Sequence, residues 1–109
     1  MDLNPDNRDT TFITESTNWN SKKFIWQHLV VKDSGVLNVT SNIKCYKGVE
    51  IIVENGGRLI LDGGVLENVN LKILSGGEIN VRNKGVVKKY KSFYTAKNAK
   101  VLINNGNIK

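Results

Sequence analysis

Three segments of this chain can be laid on one another: VKDSGVLNV at residues 31–39, VENGGRLIL at 53–61 and ILSGGEINV at 73–81. With Gly35, Gly57 and Gly77 aligned, the position four before is Val31, Val53 and Ile73. Two after stand Leu37, Leu59 and Ile79, and four after stand Val39, Leu61 and Val81, so all three columns are aliphatic. The glycines are 22 and 20 residues apart. A repeat of this length is one supersecondary unit too small to bury its own apolar face, so its copies must stack on one another to make a core. VLINNGNIK, residues 101–109, is read as a fourth and weaker copy, with Gly106 in the glycine column, Leu102 before it and Ile108 after it. That placement implies a spacing of 29 and an insertion before the last copy.

Within the copies the apolar residues alternate. Leu29, Val31, Leu37, Val39, Ile43, Cys45, Val49, Ile51, Val53, Leu59, Leu61, Val69, Leu71, Ile73, Ile79 and Val81 are all odd-numbered. Period-two alternation interrupted by SG, NGG, DGG, SGG and NKG predicts short strands with one face inward, joined by tight turns. An antiparallel sandwich needs no fixed repeat, whereas a parallel β-helix stacks one copy per coil and sets equivalent residues in ladders. The columns therefore predict an all-β fold, a short right-handed parallel β-helix (solenoid) of about four coils, capped at its ends. The Gly-Gly pairs then supply a turn of unusual φ where a Cβ would strike the adjacent coil. Two positions before the glycine, Asp33, Asn55, Ser75 and Asn104 form a column of small polar turn residues.

A chain of 109 residues is one domain's worth. Its single cysteine, Cys45, leaves no internal disulfide framework and no multi-cysteine metal site. No apolar run approaches the roughly 20 residues of a membrane span, and MDLNPDNRDT lacks the apolar core of a signal peptide. The net charge of +6 is uneven along the chain. Residues 1–81 hold eight Lys/Arg against ten Asp/Glu, whereas residues 82–109 hold eight Lys/Arg and no acid. The expected organisation is a lead-in and cap over residues 1–26, coils over 27–82, and a basic coil or cap over 83–109. In that tail Val86, Tyr90, Phe93 and Tyr94 are spaced to suit a short helix or an irregular flap laid on the core.

The run HLVVKDSGVLNVTSNIKCYKGVEIIVENGGRLILDGGVL, preceded by ITESTNWNSKKFIWQHLVV with its Trp19, resembles the pectate-lyase-like right-handed parallel β-helix repeats of bacterial secreted and cell-surface proteins. The resemblance covers residues 13–82. It implies an extracellular or cell-surface setting as part of a secreted parent. Coils of this kind are scaffolds for many functions, so it implies little about activity.

Candidate chemistry is sparse. His28 is the sole histidine and has no second metal ligand at a recognisable spacing. Cys45 falls on an inward position and reads as a buried thiol. Trp19 and Trp26 are candidates for stacking on sugar rings, or for covering an open end of the coil. Enzymes on the resembled fold cluster carboxylates on one outer sheet for calcium or for acid and base work. Here Asp33, Glu50, Glu54, Asp62, Glu67 and Glu78 do not recur in one column, and Arg58 is the sole base among them. Lys88, Lys89, Tyr90, Lys91 and Tyr94 interleave charge with aromatic rings and form the candidate site for a polyanion. The function expected is a non-catalytic stalk, spacer or adhesion module, with no catalytic residue, cofactor or metal. It is expected to self-associate as a homo-oligomer. A polysaccharide-binding or polysaccharide-active fragment is the alternative, and polyanion binding by the tail a lesser one; nucleic acid is not the expected partner.

Overall fold

The structure is a computed structural model that describes residues 9–109. The acidic residues and proline of the first eight positions, part of the anticipated lead-in, lie outside the described residues. Fifteen strands succeed one another in groups of three. Turn 1 is β1 (Thr10–Ile13), β2 (Ser16–Trp19) and β3 (Lys23–Ile25); turn 2 is β4 (His28–Val31), β5 (Val36–Val39) and β6 (Asn42–Cys45). Turn 3 is β7 (Glu50–Val53), β8 (Arg58–Asp62) and β9 (Val65–Glu67); turn 4 is β10 (Asn70–Ile73), β11 (Glu78–Arg82) and β12 (Val86–Lys88). Turn 5 is β13 (Ser92–Thr95), β14 (Lys100–Asn104) and β15 (Asn107–Ile108). The first strands of the turns pair in parallel as sheet A, the second as sheet B and the third as sheet C, each five-stranded. The described residues contain no helix, and the molecule is a three-sided parallel β-solenoid.

The aliphatic columns are ladders. Val31, Val53 and Ile73 are register partners in sheet A, with Ile13 and Thr95 continuing the column at its ends. Leu37, Leu59 and Ile79 do the same in sheet B between Thr17 and Val101. These side chains, with Leu29, Val39, Ile43, Cys45, Leu61, Leu66, Val81 and Val87, fill one continuous core along the axis.

The two glycines of each Gly-Gly pair answer different demands. Gly56 and Gly76 have φ of +83° and +82°, and Ser34 occupies the same place at 69°. Each is the third residue of a four-residue turn closed by a hydrogen bond, as from Gly57 N–H to the Glu54 carbonyl at 2.8 Å, which is type II geometry. Gly57 and Gly77 have ordinary φ but pass so close to the preceding turn that a Cβ at Gly77 would sit 2.6 Å from the Val53 carbonyl oxygen. Freedom of φ and absence of bulk are thus supplied by separate residues. The corner is tied along the axis by backbone bonds from Ser34 N–H to Gly56 O, Gly56 N–H to Gly76 O and Gly76 N–H to Asn98 O, at 3.2, 3.0 and 3.1 Å.

Two expectations are corrected. The solenoid has five turns, not about four, because residues 10–25 of the anticipated lead-in form a turn of their own, β1 to β3, paired with turn 2. Register pairs Glu78 with Lys100, so the fifth member of the Gly35, Gly57, Gly77 column is Ala99, at a spacing of 22 with no insertion. Gly106 belongs to a second glycine column with Gly64 and Gly85 at the corner between sheets B and C. An alignment keyed on glycine slides past an alanine to the next glycine. For the same reason Lys97, and not Asn104, follows Asp33, Asn55 and Ser75 in the turn column. Residues 86–103 are strands β12, β13 and most of β14, not a helix or flap.

Candidate recognition face

The charge that looks like a property of the tail is, in three dimensions, a property of one side of the solenoid. Among the described residues, the strands of sheet C and the corners on either side of them hold nine of the 15 Lys/Arg and two of the eight Asp/Glu. Lys22, Lys23, Lys44, Lys47 and Lys84 join Lys88, Lys89, Lys91 and Lys109 there, against Glu67 and, at the first turn, Asp9. Sheets A and B and the corner between them are nearly balanced.

The balance on those other sides is maintained pairwise between successive turns. Arg58 Nε meets Glu78 at 3.1 Å, Lys72 meets Glu50 at 2.9 Å, Arg82 meets Asp62 at 3.5 Å and Lys32 meets Glu54 at 3.9 Å. On sheet C, Glu67 lies in register between Lys44 and Lys88, with Lys88 Nζ 3.8 Å from its carboxylate. The carboxylates singled out in the sequence are therefore spread over all three sides, and five of the six face a cation of an adjacent turn; Asp33 stands at the corner between sheets A and B beside Gly56. Among the described residues no group of three or more His, Cys, Asp or Glu is placed to hold a metal ion.

Aromatic rings accompany the lysines. Trp26 and Phe24 are exposed, and both make edge contacts with Tyr46 of the next turn, at centroid distances of 6.1 and 6.0 Å. Phe24 opposes Lys44 in register. One open depression of about 520 Å³ is lined by Lys44, Glu67, Asn68, Lys89, Tyr90 and Lys91. A second, of about 260 Å³, shares Lys44 and Glu67 and runs toward Lys22, Lys23, Asn42 and Lys88. Between them they cross the whole width of sheet C. At the corner, Asn68 adopts a φ of 67° and its side-chain amide donates to the Cys45 carbonyl at 3.0 Å, tying two turns together.

The residues proposed from sequence are divided by the fold. Lys88, Lys89, Tyr90 and Lys91 stay together on this side. Tyr94 does not join them: it lies on the outer side of sheet A, in register with Lys72. The two tryptophans also part. Trp26 is on the basic side, whereas Trp19 turns inward, packs on the core and carries Lys23 Nζ 5.8 Å from its ring. Phe24, Lys44 and Tyr46 were not singled out by sequence reasoning. The available signal was the repeat itself, since KKFIW and IKCY are one 20-residue period apart and superpose basic and aromatic residues.

The remaining candidates are structural. His28 accepts the Glu50 amide proton on Nδ1 at 3.0 Å, bridging two turns. Cys45 is buried, and burial pushes its thiol up from an ordinary value of 9.0 to about 12. No helix among the described residues is long and apolar enough to cross a membrane. Comparison with known proteins yields no matching family model, no matching curated protein and no matching solved structure.

Proposed function

We propose that this chain is a non-catalytic recognition module: a rigid solenoid that presents the sheet C side to an acidic polysaccharide. The setting we propose is a bacterial secreted or surface protein with a stalk, spacer or adhesion role, and the resemblance of residues 13–82 to pectate-lyase-like coils supports it. The observation that carries the reading is the concentration of nine cations and the rings of Phe24, Trp26, Tyr46 and Tyr90 on one side of an otherwise charge-balanced body. Uronate or sulfate groups would meet nine lysines against two carboxylates, while sugar faces would lie on exposed rings. A strand of nucleic acid would use the same chemistry and is the competing ligand. The pairing of Glu50, Glu54, Asp62, Glu67 and Glu78 with cations leaves those five carboxylates poorly suited to acid and base work.

The test is binding of the purified chain to polygalacturonate, heparin, neutral dextran and single-stranded DNA by calorimetry. Binding to the acidic glycans is expected to weaken at least about tenfold between 50 and 200 mM salt. It should be abolished by Lys44→Glu with Lys88→Glu. Lys97→Glu with Lys100→Glu changes the net charge equally but on another side and should leave binding nearly intact. Equal loss in both double variants would show that only overall charge matters. Tight DNA binding without glycan binding would overturn the choice of ligand.

A further inference from the structure

Eight large apolar residues are exposed among the described residues: Phe12, Phe24, Trp26, Tyr90, Tyr94, Val101, Leu102 and Ile103. Six belong to turn 1 or turn 5, Trp26 lies in the corner leading out of turn 1 and Tyr90 in the corner leading into turn 5; the strands of turns 2 to 4 contribute none. Of the outward aliphatics of the middle, Val30 and Ile60 are only 9% and 5% exposed, and Val36, Ile52, Val65 and Val86 are half-buried. The sides of the solenoid are therefore poor candidates for self-association and the ends are good ones. Among the described residues, all three sheets finish at both ends in a strand paired on one side only.

We propose that the C-terminal end of one copy docks on the N-terminal end of a second, turn 5 on turn 1, so that the three parallel sheets run on across the junction. This rests on the reading of the chain as a self-associating structural module and gives that association its interface. Continuing the register by one turn sets Phe93 and Thr95 beside Thr11 and Ile13 of the second copy, and Val101 and Ile103 beside its Thr17 and Trp19. Tyr94 meets Phe12. The inward columns thus continue with aliphatic, aromatic and threonine side chains.

Charge argues against the joining of two C-terminal ends. Residues 89–109 carry five lysines and no acidic side chain, whereas residues 9–27 carry Asp9 and Glu15 against Lys22 and Lys23 and have no net charge. The continued register brings Lys91 to Asp9, and Lys97 and Lys100 to the neighbourhood of Glu15. Two C-terminal ends brought together would set five lysines against five, which disfavours that pairing. The contact is heterologous and open, so it builds rows of copies and not closed pairs. It would also extend the basic side from copy to copy.

The test uses sedimentation velocity on the full chain and two exposed-site variants. Ile103→Lys spoils the C-terminal end, and Asp9→Lys with Glu15→Lys spoils the N-terminal end. The unmodified chain is expected to give species larger than the 12.2 kDa chain that grow with concentration. Each variant alone should be monomeric, with association weakened at least tenfold. Their equimolar mixture should form a dimer of twice the chain mass and nothing larger, because each partner then has one usable end. A monomeric unmodified chain at millimolar concentration would overturn the proposal, as would variants that associate like the parent. Association of the N-terminal variant alone would instead establish pairing of like ends. The readout is mass without any glycan present, so its failure leaves the glycan reading untouched, and the reverse holds.

Discussion

Leu59 in turn 3 and Val101 in turn 5 occupy the same column of sheet B and point the same way, yet Leu59 is 0% exposed and Val101 39%. One column further, Leu61 is fully buried and Ile103 is 51% exposed. The strands are alike in type and register; the difference is only whether a turn lies on both sides. Burial in this solenoid is a property of position in the stack. A middle turn turns its apolar side chains into stability, and an end turn holds the same chemistry available for contact.

Truncation probes that contrast with the largest expected effect. Leu59→Ala removes fully enclosed atoms and should cost about 2 to 5 kcal/mol in urea unfolding, against less than about 1 kcal/mol for Val101→Ala measured on the dilute monomer. Equal losses would mean that the end is as enclosed as the middle. The glycine column offers a second contrast. Gly57→Ala drives a Cβ onto the Val31 carbonyl of the preceding turn and should cost about 1 to 3 kcal/mol. Its end-turn counterpart is already Ala99, so Ala99→Gly should change stability by less than about 1 kcal/mol.

A smaller effect is expected from Cys45, which lies in turn 2 with a thiol held at about 12. The folded chain keeps this proton over a range in which the unfolded chain, near 9.0, gives it up. Its contribution to stability is therefore complete below pH 9.0 and declines as the pH rises toward 12. Cys45→Ala should flatten that alkaline decline. In the native protein the thiol should also resist alkylation at pH 8 until denaturant is added. Rapid labelling without denaturant would mean that turn 2 opens as readily as an end.

The parallel coil and two of its ladders were legible because they rest on periodicity, which the chain states three times with glycine as a marker. The register of turn 5 was not legible because Ala99 does the work of glycine there, and because basic and aromatic residues hide an alternation that Phe93, Thr95, Val101 and Ile103 continue. Turn 1 was obscured similarly, with Thr11 and Thr17 standing where later turns carry Leu, Ile or Val. The recognition face was half legible. Lys88 to Lys91 are contiguous and attract notice, whereas Lys44 and Tyr46 join them only because the repeat brings positions about 20 residues apart to adjacent turns. Counting charge along the chain assigns it to the tail, while counting it by sheet assigns it to a side.

Amide hydrogen exchange on the dilute monomer tests most directly whether position in the stack governs behaviour. Arg58 N–H donates to Gly35 O at 3.0 Å and Lys100 N–H to Gly77 O at 2.9 Å, the same bond in the same column two turns apart. Bond length alone gives no reason for them to differ. With Arg58 enclosed by turns on both sides and Lys100 at an edge, the Arg58 amide should exchange only on global unfolding and the Lys100 amide roughly a hundredfold or more faster, through local opening of β14. Equal protection of the two amides in the monomer would contradict the division between a structural middle and available ends.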